Sequence, residues 1–316
     1  MACLFFRVCA LLLRKPTLWF TLSVVQAFDH KHHLKSHLKK RDMLGVALVT
    51  GSNKGIGFAI VKALCKQFNG EVFPSARDVC RGTAAVESLK AEGLNLLFQQ
   101  LDINDHSSVC AARDFFQQEY GGLDVLVNNA GIAFKMADTT PFGTQAEVTI
   151  QTNFFATRDM CNEFLPIIKP GGRVVNVSSS MGSVALGRCS PALQARFRSD
   201  DITEEELVSL MQSFVEEAQA GSHAQGGWPN MAYSVSKTGL TVLSRIQARQ
   251  LSQERPGDQI LLNACCPGWV RTDMAVPNAP KSPDEGAVTP TYLALLPAGA
   301  TQPHGEFLSE MTVQPW

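Results

Sequence analysis

A tyrosine and a lysine four positions apart form the most informative pair of reactive side chains in the sequence. Tyr233 and Lys237 lie in YSVSK, and this spacing places both on one face of a helix. A phenol with a pKa of about 10 is a poor acid at neutral pH, and a nearby ammonium lowers that pKa by favouring the phenolate. The phenol can then protonate a developing alkoxide while a nicotinamide supplies hydride. The pair predicts carbonyl reduction with Tyr233 as general acid.

A serine pair supports this chemistry. Ser178 and Ser179 follow a predicted strand, and a serine hydroxyl can hydrogen-bond a substrate carbonyl oxygen and hold it at the phenol. YxxxK alone occurs often by chance as a surface pair. The hypothesis therefore depends on the three further motifs that accompany it.

A glycine-rich loop is the first of these motifs. Residues 50–57, TGSNKGIG, follow a predicted strand and open a predicted helix, the context that a dinucleotide loop needs. Gly51 permits a tight turn, Gly55 lets the backbone approach a pyrophosphate, and Gly57 lets helix and strand pack closely. The free amides at the helix N-terminus favour the phosphates. The predicted contacts are Gly51, Asn53, Lys54, Gly55, Ile56 and Gly57.

The end of the second predicted strand indicates which dinucleotide binds. Arg77 stands where NADP sites prefer an arginine for the 2′-phosphate, and Lys54 adds a second cation. Two cations favour NADPH, although the carboxylate of Asp78 weakens that preference. Pro74 lies inside this strand and lacks the backbone donor that a central strand uses, so we expect it to weaken folding there.

Two other loops follow predicted strands. Residues 128–131 (NNAG) and 266–272 (CPGWVRT) each fall at the carboxyl edge of the sheet, where doubly wound folds bind ligands. The second loop brings Thr272 toward a nicotinamide and leaves Trp269 to line an aromatic-tolerant pocket.

Short apolar runs alternate with amphipathic stretches from residue 45 onward. This pattern predicts an α/β fold with a doubly wound, Rossmann-like parallel sheet.

Residues 182–230 interrupt this pattern with an all-helical insertion before the YxxxK helix. Within the insertion, Thr203 and Glu206 form a capping box. Residues 45–316 are predicted to be one catalytic domain. Strands are predicted over residues 46–50, 71–75, 96–101, 123–127, 173–177 and 260–265, and helices over 56–68, 81–91, 107–119, 144–165 and 231–251.

Composition excludes several other classes of protein. A formal net charge of -1 gives no field for nucleic acid or an anionic membrane. Nine cysteines at irregular spacing, with no CxxC pair, fit neither a disulfide framework nor a zinc motif. We expect reduced thiols, no metal and a cytoplasmic location.

The first 44 residues differ from the rest, with two short apolar stretches followed by a basic segment. Neither stretch reaches the roughly 18–20 residues of a membrane span. Val25, Gln26 and Ala27 would satisfy a signal-peptide cleavage rule. Three other interpretations of this segment remain: a mitochondrial presequence, a membrane-surface anchor, or an extension from an alternative start ahead of Met43.

Together the motifs TGSNKGIG, NNAG, YSVSK and CCPGWVRTDM closely resemble the short-chain dehydrogenase/reductases, and within them the vertebrate cytosolic monomeric carbonyl reductases. The resemblance runs from about residue 46 to 316. The Ser179-to-Tyr233 spacing is 54 residues, longer than in most of the family, and the insertion accounts for the excess. In the monomeric members it covers the face that others use to associate, which implies a monomer.

The resemblance also implies a role for each matched residue. Lys237 would bind the nicotinamide ribose, Ser179 would orient the carbonyl, and Asn153 would hold a proton-relay water near Lys237. Further cofactor contacts are implied at Asp102, Ile103, Asn129, Val270, Arg271 and Thr272. Substrate contacts, including glutathione-bearing substrates, are implied at Phe134, Lys135, Met136, Gln145, Ser179, Ala232, Tyr233 and Trp269.

The sequence therefore predicts NADPH-dependent reduction of ketones, aldehydes and quinones with a broad substrate range. Phe134, Met136, Trp269 and Met274 favour bulky or flat carbonyls such as quinones and prostaglandins. A dedicated prostaglandin or steroid dehydrogenase is the alternative within enzymes. A non-catalytic NADPH-binding protein is the alternative outside them, and the intact Ser, Tyr, Lys and Asn set argues against it.

Overall fold

The apolar runs of the sequence become the strands of one sheet. The computed structural model describes residues 45–135, 137–275 and 278–316. Within those residues the sheet has eight strands in the order β3-β2-β1-β4-β5-β6-β7-β8, parallel except for the final β7–β8 pair. The strands are β1 (Gly45–Val49), β2 (Gly70–Ala76), β3 (Gln99–Gln100), β4 (Leu123–Asn128), β5 (Ile168–Val177), β6 (Leu261–Cys266), β7 (Phe307–Ser309) and β8 (Thr312–Val313).

Helices cover both faces of this sheet, so the predicted doubly wound α/β fold is confirmed. Alternate residues of β1 enter different cores: Ala47 and Val49 pack with α1, α2 and α10, whereas Val46 and Leu48 pack with α3, α5 and α9. The helices are α1 (Gly55–Gln67), α2 (Val79–Ala91), α3 (His106–Tyr120), α4 (Phe142–Ile150), α5 (Ala156–Phe164), α6 (Ser180–Leu186), α7 (Pro191–Arg198), α8 (Glu204–Gln219), α9 (Ala232–Glu254) and α10 (Pro283–Ala294).

The predicted helical insertion is present as α6, α7 and α8. Its apolar side chains share one core with α4 and the first half of α9, so it packs on the helix that carries Tyr233. Thr203 caps α8 by accepting from the backbone N–H of Glu206 at 3.2 Å. The capping box also predicts a hydrogen bond from the Thr203 backbone N–H to the Glu206 carboxylate, and that part is wrong. The carboxylate instead accepts from Arg196 Nε at 2.6 Å.

Two predicted elements need correction, and three observed elements were not predicted. The helix expected over residues 144–165 is interrupted by a π-helical turn, Gln151–Phe155, between α4 and α5. The strand expected over residues 96–101 narrows to the two residues of β3. Periodicity did not predict α10, β7 or β8, because α10 contains Pro290 and the two strands are very short.

Pro74 is accommodated inside β2, a central strand. Leu97 N–H donates to Val72 and Leu101 N–H donates to Ala76, so even-numbered residues of β2 face the β3 side. Backbone groups of successive strand residues point to alternate sides, so the position of the N–H that Pro74 lacks also faces the β3 side. It lies near Leu97, before the first residue of the short β3. The ladder with β1 therefore keeps its hydrogen bonds.

Some predictions fall outside the described residues. These include every reading of residues 1–44 and the substrate contact at Met136. Among the helices that the structure describes, none is both long and apolar enough to cross a membrane.

Candidate active site

The glycine loop between β1 and α1 has a backbone that only glycine suits. Gly51 and Gly55 have φ angles of 60° and 61°, in the left-handed region. A Cβ at Gly57 would lie 2.7 Å from the carbonyl oxygen of Gly51 and 2.8 Å from Cα of Ser52. No side chain among the described residues caps the N-terminus of α1. Its first amides therefore face the loop, as a phosphate site requires.

Asn129 and Thr50 brace this loop from the neighbouring strand. The Asn129 side-chain amide donates to the carbonyl oxygens of Thr50 and Gly51, each at 3.0 Å. Thr50 Oγ1 accepts the backbone N–H groups of Asn129 and Ala130, also at 3.0 Å. Sequence reasoning did not give Thr50 a role, although it is the first residue of the glycine motif.

Tyr233, Lys237 and Ser179 meet at the carboxyl ends of β5 and β6, as the sequence predicts. Lys237 Nζ is 5.7 Å from the centroid of the Tyr233 ring and donates to the carbonyl oxygen of Val177 at 2.8 Å. Ser179 caps α6 and hydrogen-bonds Tyr233. The three groups come from two elements, the start of α6 and the first two turns of α9.

The electrostatics of the pair differ from the prediction. Burial raises the pKa of Tyr233 to about 12, and the hydrogen bond from Ser179 opposes that shift. Burial also lowers the pKa of Lys237 to about 8. The net shift of the phenol pKa is therefore upward, opposite to the direction expected from the lysine alone, because desolvation of the phenolate is its largest cause. At neutral pH the phenol keeps its proton.

A pH dependence of stability follows from the buried lysine. The Lys237 ammonium has a pKa of about 8 in the folded protein against an ordinary 10.5. Between these values the unfolded chain binds more protons, so the free energy of unfolding increases with pH. Chemical denaturation of wild type and Lys237→Met from pH 7 to 10 should show wild type gaining stability relative to the variant above about pH 8. A pH-independent difference would contradict the shift.

Asn153 lies in the π-helical turn and reaches two other parts of the site. Its side chain accepts from the backbone N–H of Ile132 at 2.8 Å and donates to Ile132 O at 2.9 Å and Ser236 Oγ at 3.0 Å. A Cβ at Gly131 would lie 3.1 Å from Asn153 Oδ1 and 3.6 Å from Lys237 Nζ. The glycine of NNAG therefore leaves space between these two groups. Ser236, which sequence reasoning missed, holds the asparagine amide.

The two cations predicted for a 2′-phosphate differ in their surroundings. The ammonium of Lys54 pairs with Asp273 at 2.6 Å, which joins the glycine loop to the loop after β6. Arg77 is exposed at the end of β2 and forms no ion pair with another described residue. Asp78 caps α2, and the backbone N–H of Arg81 lowers the pKa of its carboxyl. Of these two cations, Arg77 is therefore the one available to bind a 2′-phosphate.

The loop after β6 approaches the glycine loop at one point. Gly268 has a φ of 86°, and Cys266 Sγ accepts its N–H at 3.3 Å. The side chain of Thr272 lies 3.3 Å from the position of a Cβ at Gly55. Val270 is buried, and Arg271 binds the carbonyl oxygens of Ala279 and Pro280 at 2.8 and 2.6 Å. Of the other predicted cofactor residues of this edge, Asp102 and Ile103 follow β3, Asn53 lies in the loop after β1, and Ile56 is the second residue of α1.

The predicted substrate residues lie in several loops and in the first turns of α4 and α9. Trp269 is 57% exposed and Met274 44% exposed, whereas Phe134 is half-buried and Ala232 buried. Lys135 is exposed. The Gln145 amide on α4 donates to Thr140 O at 2.8 Å, so it stabilises the loop before that helix.

This combination of a doubly wound sheet, a glycine loop and a Ser-Tyr-Lys cluster defines an oxidoreductase of the short-chain type. The short chain dehydrogenase family matches residues 45–191. With the relatives below, this shows that the chain belongs to the short-chain dehydrogenase/reductase family.

Curated relatives and solved structures agree with that membership. Carbonyl reductase (NADPH) 1 of Homo sapiens and of Pongo abelii are each 66% identical over 271 residues, which cover 86% of this chain and 98% of the relative. The structure of salutaridine reductase from Papaver somniferum is 30% identical with a TM-score of 0.74, covering 83% of this chain and 99% of that one.

Proposed function

We propose that this protein is an NADPH-dependent carbonyl reductase that converts ketones, aldehydes and quinones to alcohols or hydroquinones. The observation that carries the proposal is the cluster of Tyr233, Lys237 and Ser179 beside a loop built for a dinucleotide. The 66% identity to proteins named NADPH carbonyl reductase supports both cofactor and reaction.

The residues present fit NADPH. Gly51, Gly55 and Gly57 would admit the pyrophosphate, exposed Arg77 would bind the 2′-phosphate, and Lys237 would hold the nicotinamide ribose. When bound, NADPH supplies the hydride. The remaining proposed contacts are Asn53, Lys54, Ile56, Asp102, Ile103, Asn129, Tyr233, Val270, Arg271 and Thr272.

Tyr233 donates the proton in the proposed reaction. Its pKa of about 12 keeps the phenol protonated at neutral pH, and an alkoxide is basic enough to take that proton. Ser179 holds the carbonyl oxygen against the phenol. A water between Asn153 and Lys237 is proposed to return the proton to Tyr233, and Gly131 carries no side chain that would crowd these two groups. Asn153 is thus a positioning residue, since its amide hydrogens already bind Ile132 and Ser236.

The proposed substrates are bulky or flat carbonyl compounds. The exposed side chains of Trp269 and Met274 offer apolar surface near the loop after β6. Phe134, Met136, Gln145 and Ala232 complete the proposed substrate side, and exposed Lys135 suits the carboxylates of glutathione-bearing substrates.

The protein is also proposed to be a cytoplasmic monomer. Support for the monomer is the insertion, whose helix α8 packs against α4 and α9. Support for the cytoplasm is that the cysteines of the described residues are free thiols. Sedimentation of the full-length protein and imaging of a tagged copy test these two statements.

Replacement of Arg77 should change cofactor preference. Arg77→Ala should weaken NADPH binding by about 10- to 100-fold, because a charge-assisted hydrogen bond contributes about 1.5–3 kcal/mol. NADH, which lacks the 2′-phosphate, should bind the variant about as well as it binds wild type. Lys54→Ala is the matched control and should lose less, since Lys54 already pairs with Asp273. Fluorescence titration measures all six affinities, and equal weakening toward both cofactors would refute the role.

The experiment that tests the proposed function is NADPH oxidation with menadione as acceptor, followed by loss of NADPH absorbance. We expect consumption that depends on menadione and yields the hydroquinone in equal amount. Binding of NADPH without turnover of menadione or simple ketones and aldehydes would favour a non-catalytic binder. Turnover confined to prostaglandins or steroids would favour a dedicated dehydrogenase.

A further inference from the structure

We propose that His106, Cys110 and Glu163 form a binding site for a zinc-type divalent ion, away from the nucleotide loop. Their ligand atoms, one nitrogen, one sulfur and one oxygen, all lie within 4.8 Å of one another. His106 and Cys110 are one turn apart on α3, and Glu163 lies in the last turn of α5. This inference is independent of the proposed reductase function.

Both distances from the His106 nitrogen are close to those of tetrahedral coordination. Bonds of about 2.0–2.1 Å to nitrogen and oxygen and about 2.3 Å to sulfur place tetrahedral N and S ligands about 3.5 Å apart and N and O ligands about 3.4 Å apart. Here Nε2 of His106 is 3.5 Å from Sγ of Cys110 and 3.8 Å from Oε1 of Glu163. The Cys110 sulfur and the Glu163 carboxylate oxygen lie within 4.8 Å, against about 3.5 Å for tetrahedral ligands, so side-chain shifts of up to about 1 Å would complete the geometry.

The surroundings of Glu163 favour a bound cation. Arg113 binds Oε2 of Glu163, which leaves Oε1 directed at His106. Arg113 also pairs with Asp114 at 2.8 Å, so two carboxylates share one guanidinium and negative charge remains. An outer partner that orients a carboxylate ligand is a common feature of metal sites.

The chemistry of the ligands selects the ion. Imidazole and thiolate suit zinc, whereas magnesium prefers oxygen ligands alone. Binding replaces the thiol proton of Cys110, which passes to solvent, by a metal–sulfur bond. The His106 side chain is 64% exposed, so solvent supplies the fourth ligand. A bound ion would link α3 to α5, the helix that continues the Asn153 turn.

Cobalt(II) chloride added to the full-length protein is the test, because tetrahedral cobalt with a thiolate ligand absorbs strongly by charge transfer. The first 44 residues also contain cysteines and histidines, so the readout is the difference between wild type and variants. We expect Cys110→Ser to lose the charge-transfer absorption and His106→Gln and Glu163→Gln to bind cobalt at least about 10-fold more weakly. Zinc should displace the cobalt and magnesium should not.

Cys80→Ser is the matched control, since Cys80 is an exposed cysteine on α2. It should bind cobalt as wild type does. Retention of the absorption in a folded Cys110→Ser protein would overturn the proposal. The proposal would also be overturned if only Cys110→Ser lost the absorption and the His106 and Glu163 variants bound cobalt as wild type does. That result would mean that cobalt binds the Cys110 thiol without the other two ligands.

Discussion

Tyr233→Phe should lower kcat for menadione reduction by about 10²–10⁴-fold, the range that a positioned general acid contributes. The change removes one hydroxyl and keeps the ring, so the packing around α9 is preserved. NADPH affinity should change far less than kcat, because the glycine loop, Arg77 and Lys237 keep their proposed contacts and only the Tyr233 hydroxyl is lost. Stopped-flow turnover and NADPH fluorescence titration separate the two effects.

Tyr292→Phe is the matched control for the loss of a phenol hydroxyl. Tyr292 is 40% exposed on α10, and the variant should keep wild-type kcat. If Tyr233→Phe is folded, binds NADPH and turns over within tenfold of wild type, Tyr233 is not the acid. Ser179 would then be the next hydroxyl to test, since it hydrogen-bonds the phenol.

Phe214→Ala should lower the free energy of unfolding by about 3–5 kcal/mol, the range for a buried phenylalanine truncated to alanine. Phe214 is fully buried in α8, with its ring 5.2 Å from that of Trp228 and 6.2 Å from that of Phe142. The variant leaves a cavity between the insertion and α4. Urea denaturation should show a lower midpoint with an unchanged slope.

Gln212→Ala on the exposed face of the same helix is the control. Among the described residues its side chain hydrogen-bonds only Glu216, at 3.2 Å, so the free energy of unfolding should change by less than about 0.5 kcal/mol. A loss below about 1 kcal/mol in Phe214→Ala would contradict the view that the insertion belongs to the core of the catalytic unit. A separate early transition would instead show that the insertion unfolds by itself.

Much of the fold could be predicted because its signals are local. A continuous apolar run must be buried on both faces, which predicts parallel strands such as β1 and β4. Gly51 and Gly55 mark backbone conformations with positive φ that other residues rarely adopt. Thr203 caps α8 through a contact three residues away. Each of these features depends on residues within a few positions of one another, so a single sequence is sufficient to predict it.

Other features depend on residues distant in the chain. The π-helical turn at Asn153 accompanies hydrogen bonds to Ile132 and Ser236, 21 and 83 positions away, so helical periodicity predicted one unbroken helix. The pairing of Lys54 with Asp273 spans 219 positions. His106 and Glu163 belong to separate helices, and their approach has no sequence motif.

By itself the sequence determined the α/β class, the order of the motifs and the residue types that carbonyl reduction needs. These depend only on local residue spacing and on side-chain chemistry, and both can be read from the sequence. The tertiary structure decided the electrostatics. Burial raises the pKa of Tyr233 and lowers that of Lys237, which reverses the shift expected for the phenol from the pair alone. Desolvation depends on everything packed around a group, and only the folded chain defines those surroundings.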